Sequence, residues 1–428
     1  MKINIDYVAR VEGEASVKFE IEGRKLKNLK LNIWEPPRFF EGFLVGRKFD
    51  EVPDIVSRIC GICPVSHMTT SIYALEKAIG FIPSPEIRKI RRIMALSQII
   101  ASHLVHLYML VLPDYYRLNM LFSHENPPSP PFTKGGKGGL LDEIKRLLRL
   151  KEAVNNVTAL FGGRPLHPVS MVVGGFTKVP SRDMIGKIIK GLEAIKEDAL
   201  DTVKMVSELK FPDLKTDVEY LAIMSEDDYA VEEGTIISSS GFETGVDNYH
   251  YYFTEKEIPY SNAKRTVLKG KNPIMVGALS RLNIKFDKLH SEAKKAAAMI
   301  GFKPMDKNPF HNNSAQAIEI VHGIWKCIEI LDSLSVGDFL INPKVKEGAG
   351  SSITEAPRGL LYHEYELNNR GGIEKANLVT PTAYNFLSLE ESLKKLVNEN
   401  IDKPIEELKL LCEMLVRAYD PCFSCSVH

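Results

Sequence analysis

The sequence carries no excess charge of either sign. Its 55 lysines and arginines balance 55 aspartates and glutamates over 428 residues, so no general attraction to nucleic acid or to an anionic membrane is expected. A long uninterrupted apolar run is also missing. The nearest candidate, residues 95–113, contains Ser97, Gln98, Ser102, His103 and His106, which suits a buried helix and not a membrane span. Met1-Lys2-Ile3-Asn4-Ile5-Asp6 has a charge but no apolar segment behind it, so no signal peptide and a cytoplasmic location are expected. Cysteine is scarce: Cys60, Cys63, Cys327, Cys412, Cys422 and Cys425 are all there is. Four of these form two C-x-x-C pairs, a spacing that in a large cytosolic chain points to metal or redox work rather than disulfides.

The remaining composition is that of an ordinary globular protein, 44% hydrophobic and 26% charged. Length alone suggests two or three domains. Residues 1–33 alternate in the manner of strands: Val17, Phe19 and Ile21 share one face, and Leu29, Leu31 and Ile33 repeat the pattern after Glu22-Gly23-Arg24. Beyond residue 40 the texture turns helical. Pro64 suits the first turn of a helix that Gly80 would stop, and Ser84-Pro85-Glu86 opens a long helix through about Leu112. Residues 126–139, rich in Pro and Gly, read as a surface loop. Helical periodicity returns over 140–160, 182–210, 286–300 and 311–333, with mixed structure over 215–280. Residues 340–385 read as loop and strand, and a last helix spans Ile405 to Tyr419, ended by Asp420-Pro421. The expected fold is mainly α, with a small N-terminal β-sheet and a mixed α+β middle region.

Cys60-Gly61-Ile62-Cys63 and Cys422-Phe423-Ser424-Cys425 can together supply four thiolates to one metal centre. By spacing alone a structural zinc site leads, with an iron–sulfur cluster, a redox dithiol or a nickel–thiolate site as rivals. Three details weigh against zinc. The pairs lie at opposite ends of the chain, whereas zinc ribbons close short loops. Cys63 precedes a helix start, where the dipole favours thiolate. The sequence stops three positions after Cys425, which suits a buried terminus with a role.

These residues also carry a family resemblance. Arg58-Ile59-Cys60-Gly61-Ile62-Cys63 with His67, and Asp420-Pro421-Cys422-Phe423-Ser424-Cys425-Ser426-Val427-His428, resemble the two signatures of nickel–iron hydrogenase large subunits. Arg10-Val11-Glu12-Gly13, Phe161-Gly162-Gly163-Arg164 with His167-Pro168, Glu355-Ala356-Pro357-Arg358-Gly359 and Pro381-Thr382 agree in the same order. The resemblance implies reversible heterolytic cleavage of H2. It implies that Cys60, Cys63, Cys422 and Cys425 hold nickel, with Cys63 and Cys425 bridging to an iron that carries carbon monoxide and cyanide. Arg358 would lie over the open metal position beside Pro357, with Asp114 and Asp420 as carboxylates around it. Thr382 would donate to a cyanide and Glu12 would transfer protons. Glu41 and His428 would hold a magnesium or iron ion near the C-terminus, where His428 is the last residue of the mature form. Residues 126–139 match no family motif and read as an insertion.

Each assignment has a plainer reading. Glu12 can be a turn residue, His67, four positions after Cys63 on one helical face, can orient a sulfur as readily as ferry protons, and His103 and His106 can be satisfied core histidines. Asp114 can begin a turn, Arg358 can pair with Glu355, Glu41 can be a solvated helix residue, and Cys327 and Cys412 can be buried apolar-like residues. A non-catalytic relative, such as the quinone-site subunit of respiratory complex I, is disfavoured because all four cysteines are present.

Two spare cysteines cannot build a four-cysteine cluster. The electrons therefore need a partner iron–sulfur small subunit. Val111-Leu112-Pro113-Asp114-Tyr115 and Ser424-Cys425-Ser426-Val427-His428 are similar to the NAD(P)-linked sulfhydrogenase type, with ferredoxin- or heterodisulfide-reductase-linked complexes as alternatives. Two ends meeting in one site imply a single interlocked domain over 1–428.

Overall fold

The computed structural model describes residues 1–116, 138–226, 228–271, 273–337 and 339–427. Strands β1 (Lys2–Ile5), β2 (Ala15–Glu22) and β3 (Lys25–Ile33) form an antiparallel sheet in that order. Val17 faces Ile5 and Leu31, and Phe19 faces Ile3 and Leu29, so the alternating apolar positions become one buried face. A bulge after Glu20 shifts Ile21 opposite Leu26.

Helix α1 (Pro64–Ile79) starts and stops where Pro64 and Gly80 imply, with Gly80 at φ +69°. Ser84 caps α2 (Pro85–Val105) through the Ile87 N–H. The helix does not end near Leu112 as expected. It continues through a π-helical segment, His106–Val111, and a final turn, Leu112–Tyr116. Pro113 lacks an N–H and so cannot carry the usual ladder at the point where the α pattern resumes. This helix is long and apolar enough to cross a bilayer, but 78% of its apolar window is buried inside the chain, as in a core helix.

Of the expected loop 126–139, residues 126–137 lie outside the described residues. Gly138 and Gly139 belong instead to α3 (Gly138–Gly162); the first N–H groups of a helix need no intrahelical partner, so glycine is tolerated there. Short sheets fill the middle, including Glu219–Met224 paired with Thr235–Ser238. Helices α4 (Ala278–Lys285) and α5 (Asn312–Asp332) follow, and α5 packs on α2.

Residues 348–379 form an antiparallel sheet of β4 (Gly348–Ala356), β5 (Gly359–Leu367) and β6 (Ile373–Val379), and β4 lies on α1. Gly350 permits that approach, because a Cβ there would meet the Ala78 N at 2.4 Å. Two helices close the chain, α6 (Pro381–Glu399) and α7 (Ile405–Ala418). The main apolar cluster runs from Ile3 to Val427, so both ends of the described chain contribute to one core.

Candidate metal centre

Cys60 follows a 3-10 turn, Ser57–Ile59, in extended backbone. Its Sγ accepts from the Ile62 and Cys63 N–H groups at 3.2 and 3.3 Å. Cys63 occupies the cap position of α1. At the other end, Asp420 takes a left-handed φ of +48° and turns the chain out of α7. Phe423 N then donates to the Glu12 carbonyl at 2.8 Å, and Glu12 and Cys422 form a parallel bridge. Arg38 ties the two cysteine loops together by donating to the carbonyls of Ile59 and Ser424.

The four sulfurs converge. Cys60 Sγ lies 3.6 Å from Cys422 Sγ, Cys63 Sγ lies 3.7 Å from Cys425 Sγ, and all four fall within 4.8 Å of one another. All are buried, and none is in a disulfide. Hydrogen bonds from Cys422, Cys425 and Cys63 hold the Cys60 thiol well below its usual range, while burial pushes Cys422 and Cys425 well above theirs. Four soft donors at this spacing suit a thiophilic metal ion.

Arg358 lines a small cavity with Cys63, Cys422 and Cys425. Its Nε and Nη2 donate to Asp420 Oδ1 at 3.0 and 2.9 Å. Burial opposes its charge, but the Asp420 carboxylate holds the guanidinium protonated. Burial likewise opposes the Asp420 carboxylate, and Arg358, His106 and His103 more than offset it, leaving it below its usual range. Arg358 Nη1 is buried with no hydrogen-bond partner. It belongs to a residue that lines a small cavity with Cys63, Cys422, Cys425, His67 and Pro357. A buried donor without an acceptor is costly, so this site fits a further acceptor-bearing group next to the sulfurs.

Other expected residues fall as follows. Glu12 Oε2 lies 2.8 Å from Cys422 Sγ, and its Oε1 accepts from the Ser424 hydroxyl. Thr382 Oγ1 accepts from the Cys422 N–H at 2.9 Å. His67 Nδ1 lies 3.2 Å from His363 Nε2, whose ring continues to the Tyr365 hydroxyl at 2.8 Å. Glu41 accepts from the Leu378 N–H at 2.9 Å and lines a groove with Ser426 and Val427. His428 lies outside the described residues.

Asp114, expected around Arg358, is instead held by Arg417, at 2.6 and 2.8 Å, and by Arg10. The π segment and the turn after it carry Asp114 to the start of the chain and to the last turn of α7. The plain pairing of Arg358 with Glu355 does not occur, because Glu355 is occupied by Arg281. His106 is satisfied in the core by Gln316 and the Arg417 carbonyl, whereas His103 meets Glu319 through Nε2 and its buried Nδ1 has no hydrogen-bond partner among the described residues. Burial pushes the Cys327 and Cys412 thiols up to about 12, which suits inert core residues.

Sequence reasoning missed Arg38, Arg417, Ser424, His363 and Arg281. Arg417 had one available signal, a cation on the last turn of a helix that leads straight into a cysteine motif.

Four buried thiols drawn from both ends of one chain, with an arginine–aspartate pair beside them, define the class of protein as one with a thiolate metal centre. The comparisons with known proteins agree. A family model described as nickel-dependent hydrogenase matches residues 38–125 and 238–428. The alpha chain of sulfhydrogenase 1 of Pyrococcus furiosus is 36% identical over 100% of this chain and 98% of its own length. The alpha chain of sulfhydrogenase 2 of the same organism is 33% identical over 100% and 99%. Among solved structures, an NAD+-reducing [NiFe]-hydrogenase in the H2-reduced state superposes with TM-score 0.86 at 24% identity, covering 100% of this chain and 99% of that one. The Ni-Fe-Se hydrogenase of D. vulgaris Hildenborough gives 0.82 at 22% identity, with 100% of both chains covered. These two likenesses speak for the fold.

The chain belongs to the nickel-dependent hydrogenase family. Within it, this is the catalytic large subunit of a nickel–iron hydrogenase, an oxidoreductase of H2 that works with partner subunits.

Proposed function

We propose that Cys60, Cys63, Cys422 and Cys425 would hold nickel, and that Cys63 and Cys425 would also be ligands to an iron carrying carbon monoxide and cyanide. The unpartnered Nη1 of Arg358 supports this reading, since a diatomic anion beside it would supply the missing acceptor. Thr382 uses an oxygen lone pair on the Cys422 N–H, which leaves its hydroxyl proton free to donate to a second such ligand. Pro357 and His67 also line this cavity.

When bound, the centre supplies Lewis acidity and a redox pair for heterolytic cleavage. The chain's own part is the proton. The Cys422 thiolate receives it at Sγ and passes it to Glu12 Oε2, 2.8 Å away, within the reach that proton transfer requires. The Ser424 hydroxyl on Glu12 Oε1 offers the next station outward. Asp420 holds Arg358 in place and charged. Asp114 acts at one remove, by anchoring Arg417 at the foot of the C-terminal motif.

Glu41, with His428, is the proposed ligand set for a magnesium or iron ion at the C-terminus; the proximity of Glu41 to Ser426 and Val427 supports it. Electrons leave through an iron–sulfur small subunit to further NAD(P)-, ferredoxin- or heterodisulfide-reductase-linked subunits. The whole chain works as one interlocked unit in the cytoplasm.

The observation that carries the reading is the Cys422–Glu12 contact at the end of four converged thiols. Its test is Glu12→Gln in the assembled enzyme. Nickel and iron should stay at near equal amounts and the carbon monoxide and cyanide infrared bands should survive. Turnover should fall by about 10²–10⁴-fold. Normal turnover discards the relay, and zinc as the only metal discards the centre.

A further inference from the structure

Pro357 and Arg358 form the two-residue tip of a hairpin in which Ala356 pairs with Gly359. Hairpin tips normally face water, which satisfies their carbonyls. This one is buried: Ala356, Arg358 and Gly359 are all inside the molecule. Its carbonyls therefore need protein donors.

Arg281 of α4 supplies them. Its side chain is completely buried and uses all five of its N–H groups. Nε and Nη2 each donate to Glu319 at 2.6 Å. Nη1 donates to Glu355 Oε2 and to the Ala356 carbonyl, both at 3.1 Å. The second Nη2 hydrogen goes to the Pro357 carbonyl at 3.0 Å. Glu319 is itself fixed by His103 Nε2 at 2.8 Å and by the Tyr229 hydroxyl, and Glu355 Oε1 accepts from the Ile223 N–H at 3.0 Å. The clamp thus has no slack on its far side.

Beyond the tip the chain is held by close packing. A Cβ on Gly277 would stand 3.1 Å from the Arg358 carbonyl, and one on Gly359 would stand 2.3 Å from Val276 Cγ2. Arg358 is accordingly gripped through hydrogen bonds on its N-terminal side and through contact on its C-terminal side.

We propose that Arg281, locked by Glu319, is the positioning residue that sets Arg358 beside the thiolate centre, by holding the carbonyls of Ala356 and Pro357. The inference rests on the role assigned to Arg358 above. Lysine cannot replace Arg281, because one ammonium cannot span a carboxylate pair and two carbonyls at once.

The test is a double-mutant cycle on the assembled enzyme with Arg281→Lys and Arg358→Lys. R281K should keep its nickel and iron and lose about 100-fold in turnover, as expected for a displaced reacting group. Amide exchange measured on the intact enzyme should quicken at Ala356, Arg358 and Gly359, the residues of 356–359 that carry an N–H. The double variant should be no slower than R358K alone, because Arg281 acts only through Arg358. Losses that multiply, unchanged exchange at 356–359, or wild-type turnover in R281K overturn the proposal. Full turnover in R358K overturns the role of Arg358 itself and this inference with it. Should R281K fail to accumulate, Glu319→Gln takes its place in the cycle under the same criteria.

Discussion

At the scale of single residues, the centre depends on small groups that fix the cysteines rather than on the cysteines alone. Thr382 shows this best. It is the acceptor for the Cys422 N–H in a buried setting. Thr382→Val keeps the shape but leaves that N–H unpaired, at a cost of about 1–3 kcal/mol. The expected outcome is a lower thermal midpoint and weaker nickel retention, both restored by Thr382→Ser. Equal nickel retention in the valine variant would show that Cys422 is held by other means. Only the chemistry of these residues could be read in advance. Cysteine, arginine and glutamate announce what they can do, but Arg38 and Ser424 acquire their importance from neighbours hundreds of positions away.

At the scale of elements, the C-terminal motif is docked as an added strand-like segment beside Glu12. Gly13 makes this possible. It sits at φ +86°, and a Cβ there would meet Ser424 N at 2.5 Å and Phe423 Cβ at 2.9 Å. Gly13→Ala should therefore cost at least about 1–3 kcal/mol for the backbone conformation alone and push the segment off its seat. Elemental analysis should show sharply reduced nickel; full loading would mean the contact is dispensable. Elements also explain where sequence and structure part. Residues 340–385 read as loop and strand, yet α6 begins inside them, at a Pro381 that resembles a loop residue. Proline at the first helical position is compatible with a helix, and the apolar face that follows is covered by β3 and the strand Ser261–Leu268. The π segment of His106–Val111 left no trace in apolar periodicity, since its backbone pattern answers to contacts such as His106 with the Arg417 carbonyl.

At the scale of the whole molecule, the core is laced with buried charge whose protonation couples to folding. His322 is the clearest case. Its Nδ1 accepts from the His290 N–H at 3.0 Å, which requires the neutral ring, and burial pushes its pKa down to about 3. As pH falls, the unfolded chain takes up this proton first, near 6.5. The native state then loses stability by about 1.4 kcal/mol per pH unit until its own pKa is reached. His103, lowered by burial, acts in the same direction. Glu319 and Asp420 are depressed carboxylates, so their contribution persists until the pH falls below the ordinary carboxylate range. Between about pH 7 and 5 the decline in thermal midpoint should thus follow the histidines, and His322→Gln should make it shallower. An unchanged slope would remove His322 from the account.

The sequence by itself determined the chemistry and the family. Two C-x-x-C pairs, the Glu355-to-Gly359 stretch and Glu12 are local strings, and local strings survive without a fold. It also determined the N-terminal sheet and the start and stop of α1, because those follow from short-range periodicity and from the backbone limits of Pro64 and Gly80. Only the tertiary structure decided which charges meet. It assigned Asp420 to Arg358, Asp114 to Arg417 and Glu355 to Arg281. Ion pairing carries no signal between positions so far apart in the chain, since any carboxylate satisfies any guanidinium that packing brings within reach.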